Sequence, residues 1–95
     1  MELQDLRREI DKIDDEILQL FVRRMEVAAQ IAVYKRENNL PVFAPTREQE
    51  KLADIARKAG ADMAAFACAL YETVFELSRT HQSNIIDKSD CEGVQ

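Results

Sequence analysis

The stretch LQLFVRRMEVAAQIAVYKRE, Leu18 to Glu37, has the apolar spacing of a helix with one side made for burial, yet Arg24 stands in that side. Four residues on from Leu20 comes Arg24, and three more reach Val27, so a guanidinium takes a place its neighbours give to hydrocarbon. A buried, unpaired charge is expensive, which calls for an anionic partner or an escape to the helix edge. Lys35 lies eleven residues further on. That is three turns, about 20° of rotation and roughly 16 Å along the same face. Both side chains are long enough to converge on a small anion between them. Arg7 is placed differently, 17 residues before Arg24, or roughly 25 Å away and about 100° round the helix. Within one chain the two arginines can hardly share a metabolite-sized ligand. In an antiparallel pair of chains, the start of one long helix passes the later part of its partner's, and Arg7 could enter the other chain's pocket. The plain alternative is a solvated Arg7 near Asp11 at i+4.

Ser78 and Gln82, four apart, project together from one helix face, and Arg47 and Glu48 open another helix. Each pair alone is ordinary helix surface. Together the candidates are cations, a neutral amide, a hydroxyl and one carboxylate, with no nucleophile beside a base. Such a set suits holding a dianion and stabilising negative charge that develops on an oxygen. No phosphate-cradling glycine loop or metal-ligand spacing is present. Asp14, Asp15 and Glu16 are adjacent on a helix and fan outward, and His81 reads as surface.

The elements that must position these groups are helices. Two glycines, two prolines and no tryptophan in 95 residues, 33% of them charged and 46% hydrophobic, describe one small helical domain. The net charge of −5 argues against nucleic acid, and no apolar run is long enough to cross a membrane. Cys68 reads as a small buried hydrophobe and Cys91 lies in a polar tail, so a reducing cytoplasm is expected. Between Glu2 and Asn39, which no Gly or Pro interrupts, Leu3, Leu6, Ile10, Ile13, Ile17, Leu20, Val27, Ile31 and Tyr34 step by threes and fours. A helix of about 36 residues is roughly 54 Å long, more than one small chain can cover, so a homodimer is expected. Asn38-Asn39-Leu40-Pro41 breaks it, Pro45 keeps the connector extended, and Thr46 with Gln49 reads as a capping box. The short second helix stops at Gly60. Asp62 can cap the third, whose main stripe is Met63, Phe66, Leu70, Val74 and Leu77, broadened by Tyr71 and Phe75. The expectation is an all-α domain over residues 1–84, one long, one short and one medium helix, with a frayed tail at 85–95.

Leu6 to Asp14 (LRREIDKID), Val22 to Ala28 (VRRMEVA), Lys35, Pro41-Val42, Arg47-Glu48, and Ser78 with Gln82 follow one another in an order and spacing that resembles the all-helical class of chorismate mutase. The resemblance covers residues 3–84. It implies an intertwined homodimer of three-helix chains with two equivalent sites, each drawing residues from both chains. It further implies that Arg24, with Arg7 from the neighbouring chain, grips the carboxylates of chorismate. Lys35 and Gln82 would donate to the ether oxygen, Glu48 would take the ring hydroxyl, and Arg47 and Ser78 would complete the lining. Ala44 departs from the pattern, since many members carry an acid there. The implied reaction is the unimolecular rearrangement of chorismate to prephenate, in phenylalanine and tyrosine biosynthesis, with no cofactor and no metal. Two alternatives stand beside it: an isochorismate-pyruvate lyase on the same scaffold, and a non-catalytic helical dimerisation or regulatory module in which Arg24 is a seam arginine.

Overall fold

The computed structural model describes residues 2–94, with side chains through residue 87. Three helices make up the chain, α1 (Leu3–Glu37), α2 (Pro45–Ala59) and α3 (Ala64–Val94), with no strand among the described residues. The all-α architecture expected from composition and period is what the chain adopts.

Helix α1 stops where the asparagines begin. Asn39 takes a left-handed φ of 55°, a conformation asparagine tolerates better than most residues. The Asn38 side-chain amide donates to the Tyr34 carbonyl at 2.8 Å, and the Leu40 amide to the Lys35 carbonyl at 2.8 Å. Carbonyls left open at the helix end are thereby satisfied. Helix α2 begins two residues earlier than the capping box predicts. Its N-cap is Ala44, without a side-chain cap, and Pro45 is the first helical residue, not part of an extended connector. Proline suits that position because its φ is already helical and its missing N–H is not needed there. The far end is as expected, with Arg57 and Lys58 in the last turn and Gly60 at φ 84°. Asp54 gathers Lys51, Arg57 and Lys58, and the hydrogen bond from Lys58, above all, holds its carboxyl below the usual range. Asp62 does not cap α3. The Gly60 carbonyl instead receives the Met63 and Ala64 amides at 3.2 and 2.9 Å. Helix α3 continues past Asn84 through Ile85 and Ile86, both half-buried, where loss of period suggested fraying. The side chains of the rest of the expected tail, 88–95, lie outside the described residues.

Helix α3 packs against both α1 and α2, which do not meet each other. The molecule measures 59 × 28 × 14 Å with a radius of gyration of 17.1 Å. A compact chain of this length would have about 12–13 Å. The short dimension is little more than one helix thick, so each helix is covered on one side only. The buried apolar set is correspondingly small: Ala28, Ala32, Ile55 and Phe75.

The stripes read from the sequence fall on the uncovered side. Leu3, Leu6, Ile10, Ile13, Ile17 and Leu20 remain 44–66% exposed. Met63, just before α3, and Phe66, Leu70 and Leu77 on it are open, whereas Phe75, Ser78 and Gln82 are buried. The main stripe read on α3 is thus largely open within the single chain, and Phe75, read as broadening it, is what the chain buries. Within the chain, α1 is buried through two alanines four residues apart, which let its only helical neighbour, α3, approach closely. Ala32 is fully enclosed. Ala32→Leu should destabilise the chain by about 1–3 kcal/mol through overpacking, measured by urea unfolding, whereas Ile13→Ala should not disturb packing within the chain.

Candidate active site

Where the later part of α1, the connector, the first turns of α2 and the middle of α3 come together, they enclose a cavity of about 440 Å³. Arg24, Val27, Ala28, Ile31 and Lys35 come from α1, spaced at i, i+3, i+4, i+7 and i+11, which keeps one face toward the cavity. The connector adds Val42 and Ala44, α2 adds Arg47, Glu48 and Lys51, and α3 adds Phe75, Ser78, Arg79 and Gln82. Six of the seven residues singled out in the sequence meet here: Arg24, Lys35, Arg47, Glu48, Ser78 and Gln82. The seventh, Arg7, is exposed on the first turns of α1 and does not line the cavity of its own chain.

Five cations and one carboxylate line this space among the described residues, in a chain whose net charge is −5. Each of four cations has a modest local partner. Arg24 lies over the Phe75 ring at 5.7 Å, a cation–π contact supported from beneath by a buried aromatic. Lys35 donates to the Val42 carbonyl at 2.7 Å, which fixes its ammonium at the cavity edge and leaves two N–H groups for a ligand. Arg79 is ion-paired with Glu48, and Lys51 stands 3.7 Å from Asp54. Glu48 offsets one of the five charges, and the remaining excess of cations keeps the cavity positive, a potential that low-dielectric walls concentrate on whatever enters.

Gln82 is 6% exposed and Ser78 7%. The Gln82 amide donates to the Ser78 hydroxyl at 3.2 Å, while its oxygen is buried with no partner. A buried amide with one end unpaired is the kind of group a bound molecule would satisfy. The Ser78 hydroxyl is hydrogen-bonded to Gln82 and to no histidine or carboxylate, so it is not an activated nucleophile.

Sequence reasoning missed Phe75 as the floor under Arg24, and Lys51 and Arg79 as further cations. Arg79 could have been found, because it stands at i−3 from Gln82 and so shares its side of the helix. Its stacking on Phe43, 5.0 Å from the ring centroid, depends on the path of the connector and had no signal in the sequence.

Residues 6–83 match the sequence profile of the family described as chorismate mutase type II. The chain belongs to that family. Among its relatives, the T-protein of Haemophilus influenzae is 42% identical over 72 residues, covering 76% of this chain and 19% of the relative. A bifunctional chorismate mutase/prephenate dehydratase of Aquifex aeolicus is 46% identical over 56 residues, 59% of this chain and 16% of the relative. A 4-amino-4-deoxychorismate mutase of Streptomyces venezuelae is 33% identical over 76 residues, 77% of this chain and 73% of the relative. The chain thus spans about a fifth of the length of the first of these. No solved structure matches it at comparable significance. The family membership agrees with the resemblance carried by the arginine-rich stretches of α1 and the Ser78–Gln82 pair.

The unpaired amide end of Gln82 has a stability consequence. Gln82→Met fills similar volume and removes the orphan, so unfolding free energy should stay within about 1 kcal/mol of the parent or rise. A loss well beyond that in urea titration would mean that Gln82 is held for the fold.

Proposed function

We propose that this chain is a chorismate mutase domain that catalyses the rearrangement of chorismate to prephenate. The observation that carries the reading is the set of five cations and the half-paired amide of Gln82 around one cavity, with a single carboxylate and no activated nucleophile. Chorismate is a dianion with a ring hydroxyl and an ether oxygen. Its reaction breaks a C–O bond while a C–C bond forms, and no proton has to move. A protein can accelerate it by holding the enolpyruvyl arm over the ring and by placing donors where charge grows on the ether oxygen. Arg24 is assigned to a carboxylate, Lys35 and Gln82 to the ether oxygen, and Glu48 to the ring hydroxyl, with Arg47 and Ser78 completing the lining. With the Gln82 amide turned so that its oxygen accepts from Ser78, the unpaired end becomes the NH₂ donor that the ether oxygen requires. The reading needs no cofactor.

The same reading pairs two chains. The open apolar rows on α1 and α3 are too extensive for an isolated soluble chain and fit burial against a second copy. An intertwined homodimer would also bring Arg7 of the second copy to the cavity that its own chain's Arg7 does not line. A cytoplasmic setting belongs to the proposal, and no described helix is long and apolar enough to cross a membrane.

A second reading is favoured by the Streptomyces relative, most of whose length this chain covers. It has the same rearrangement act on 4-amino-4-deoxychorismate, which bears an amino group in place of the ring hydroxyl. The single carboxylate, already paired with Arg79, favours the hydroxyl.

Direct assay of chorismate consumption tests the proposal. Arg24→Ala and Lys35→Ala should each lower kcat/KM by about 10²–10³-fold or more while the helical circular dichroism is kept. No prephenate from the parent protein, or pyruvate released instead, would refute it. Because Gln82 donates without titrating, the parent's rate should show no acid optimum. Gln82→Glu should be active only at low pH, where the new carboxyl is protonated and can donate; an unchanged pH profile would remove Gln82 from the ether oxygen.

A further inference from the structure

Arg79 is assigned no contact with the substrate in the reading above, on which this inference rests and which it deepens. Its guanidinium reaches from α3 to Oε1 of Glu48 in the first turn of α2, 31 residues away in sequence, and its other face lies on Phe43 of the connector. The side chains of Arg79 and Glu48 are 33% and 21% exposed, so water only partly screens the pair. Two consequences follow for any molecule in the cavity. One Glu48 oxygen is taken and the other remains an acceptor, held in a fixed direction by a guanidinium that is itself clamped on a ring. The charge of Glu48 is also already balanced. Nothing nearby restores it: position 44, at the N-cap of the same helix, carries only a methyl group, and the other charged residues that α2 gives to the cavity, Arg47 and Lys51, are cations. This end of the cavity can take a hydrogen bond from a neutral hydroxyl but has no net negative charge to offer an ammonium.

We propose that Arg79, paired with Glu48 opposite the methyl of Ala44, sets the substrate selectivity of the cavity, admitting a ring hydroxyl and rejecting a protonated amino group at the same place. Arg79 acts through Glu48 and is a positioning residue. Removing its charge leaves an unbalanced carboxylate, which weakens the alignment of a hydroxyl and attracts an ammonium.

The test compares kcat/KM on chorismate and on 4-amino-4-deoxychorismate for the parent protein, Arg79→Lys, Arg79→Met and Ala44→Asp. The parent prefers chorismate. Arg79→Met shifts the ratio toward the amino substrate by about tenfold or more, with activity on the two substrates moving in opposite directions. Arg79→Lys, which keeps the charge, retains most of the parent's preference. Ala44→Asp adds a carboxylate without disturbing Arg79 and shifts the ratio the same way, so the inference stays testable if Arg79→Met does not fold. A ratio unchanged in Arg79→Met or in Ala44→Asp, with both substrates falling in parallel, would make the pair a scaffold contact and overturn the inference. A parent that converts both substrates equally would also overturn it while leaving the mutase reading intact. A parent that converts no chorismate would overturn that reading instead.

Discussion

Five cations drawn to one cavity repel one another, and the rest of the chain is arranged around that repulsion. The sequence is acidic overall, so the positive field is local and has to be built side chain by side chain. The partners differ in kind: a ring face for Arg24, a backbone carbonyl for Lys35 and a paired carboxylate for Arg79. The supports fix where the charges point and leave a positive excess in the cavity. Such an arrangement costs stability when the cavity holds no anion, and a dianion returns it on binding. It is the preorganisation that the proposed rearrangement would depend on, since donors already in place need not reorient as charge moves to the ether oxygen.

The same site explains why the chain is so thin. A helix of 35 residues carries Arg24 and Lys35 in its second half and leaves its first turns largely exposed along their length. Those turns expose a continuous apolar row together with Arg7. In the proposed pair of chains, one act of association would bury the row and deliver the missing cation. Stability and catalysis would then rest on the same contact, and dilution would remove both together.

Much of this was legible in the sequence, for reasons that can be traced to particular residues. The helices showed because Gly and Pro are confined to the breaks and because leucine and isoleucine keep a period near 3.5 over residues 3–20. Arg24 drew attention because it violates that period, and six of the seven site residues do meet in space. The start of α2 was misplaced because Thr46 and Gln49 imitate a capping box while Pro45 is the better first residue. Most of the α3 stripe is open within the chain because periodicity says which residues want burial and not against which chain. Contacts such as Arg79 with Phe43 depend on the course of an irregular connector, for which no period exists.

The central claim is that positive groups from two chains close on one dianion, and subunit complementation tests it most directly. Arg7→Ala and Arg24→Ala chains, each inactive alone, are mixed in equal amounts and allowed to exchange. Half of the dimers are then mixed and each has one intact site of two, so about a quarter of the parent's chorismate turnover should return. No recovery after proven exchange, or full activity in a protein that remains a monomer, would contradict the account.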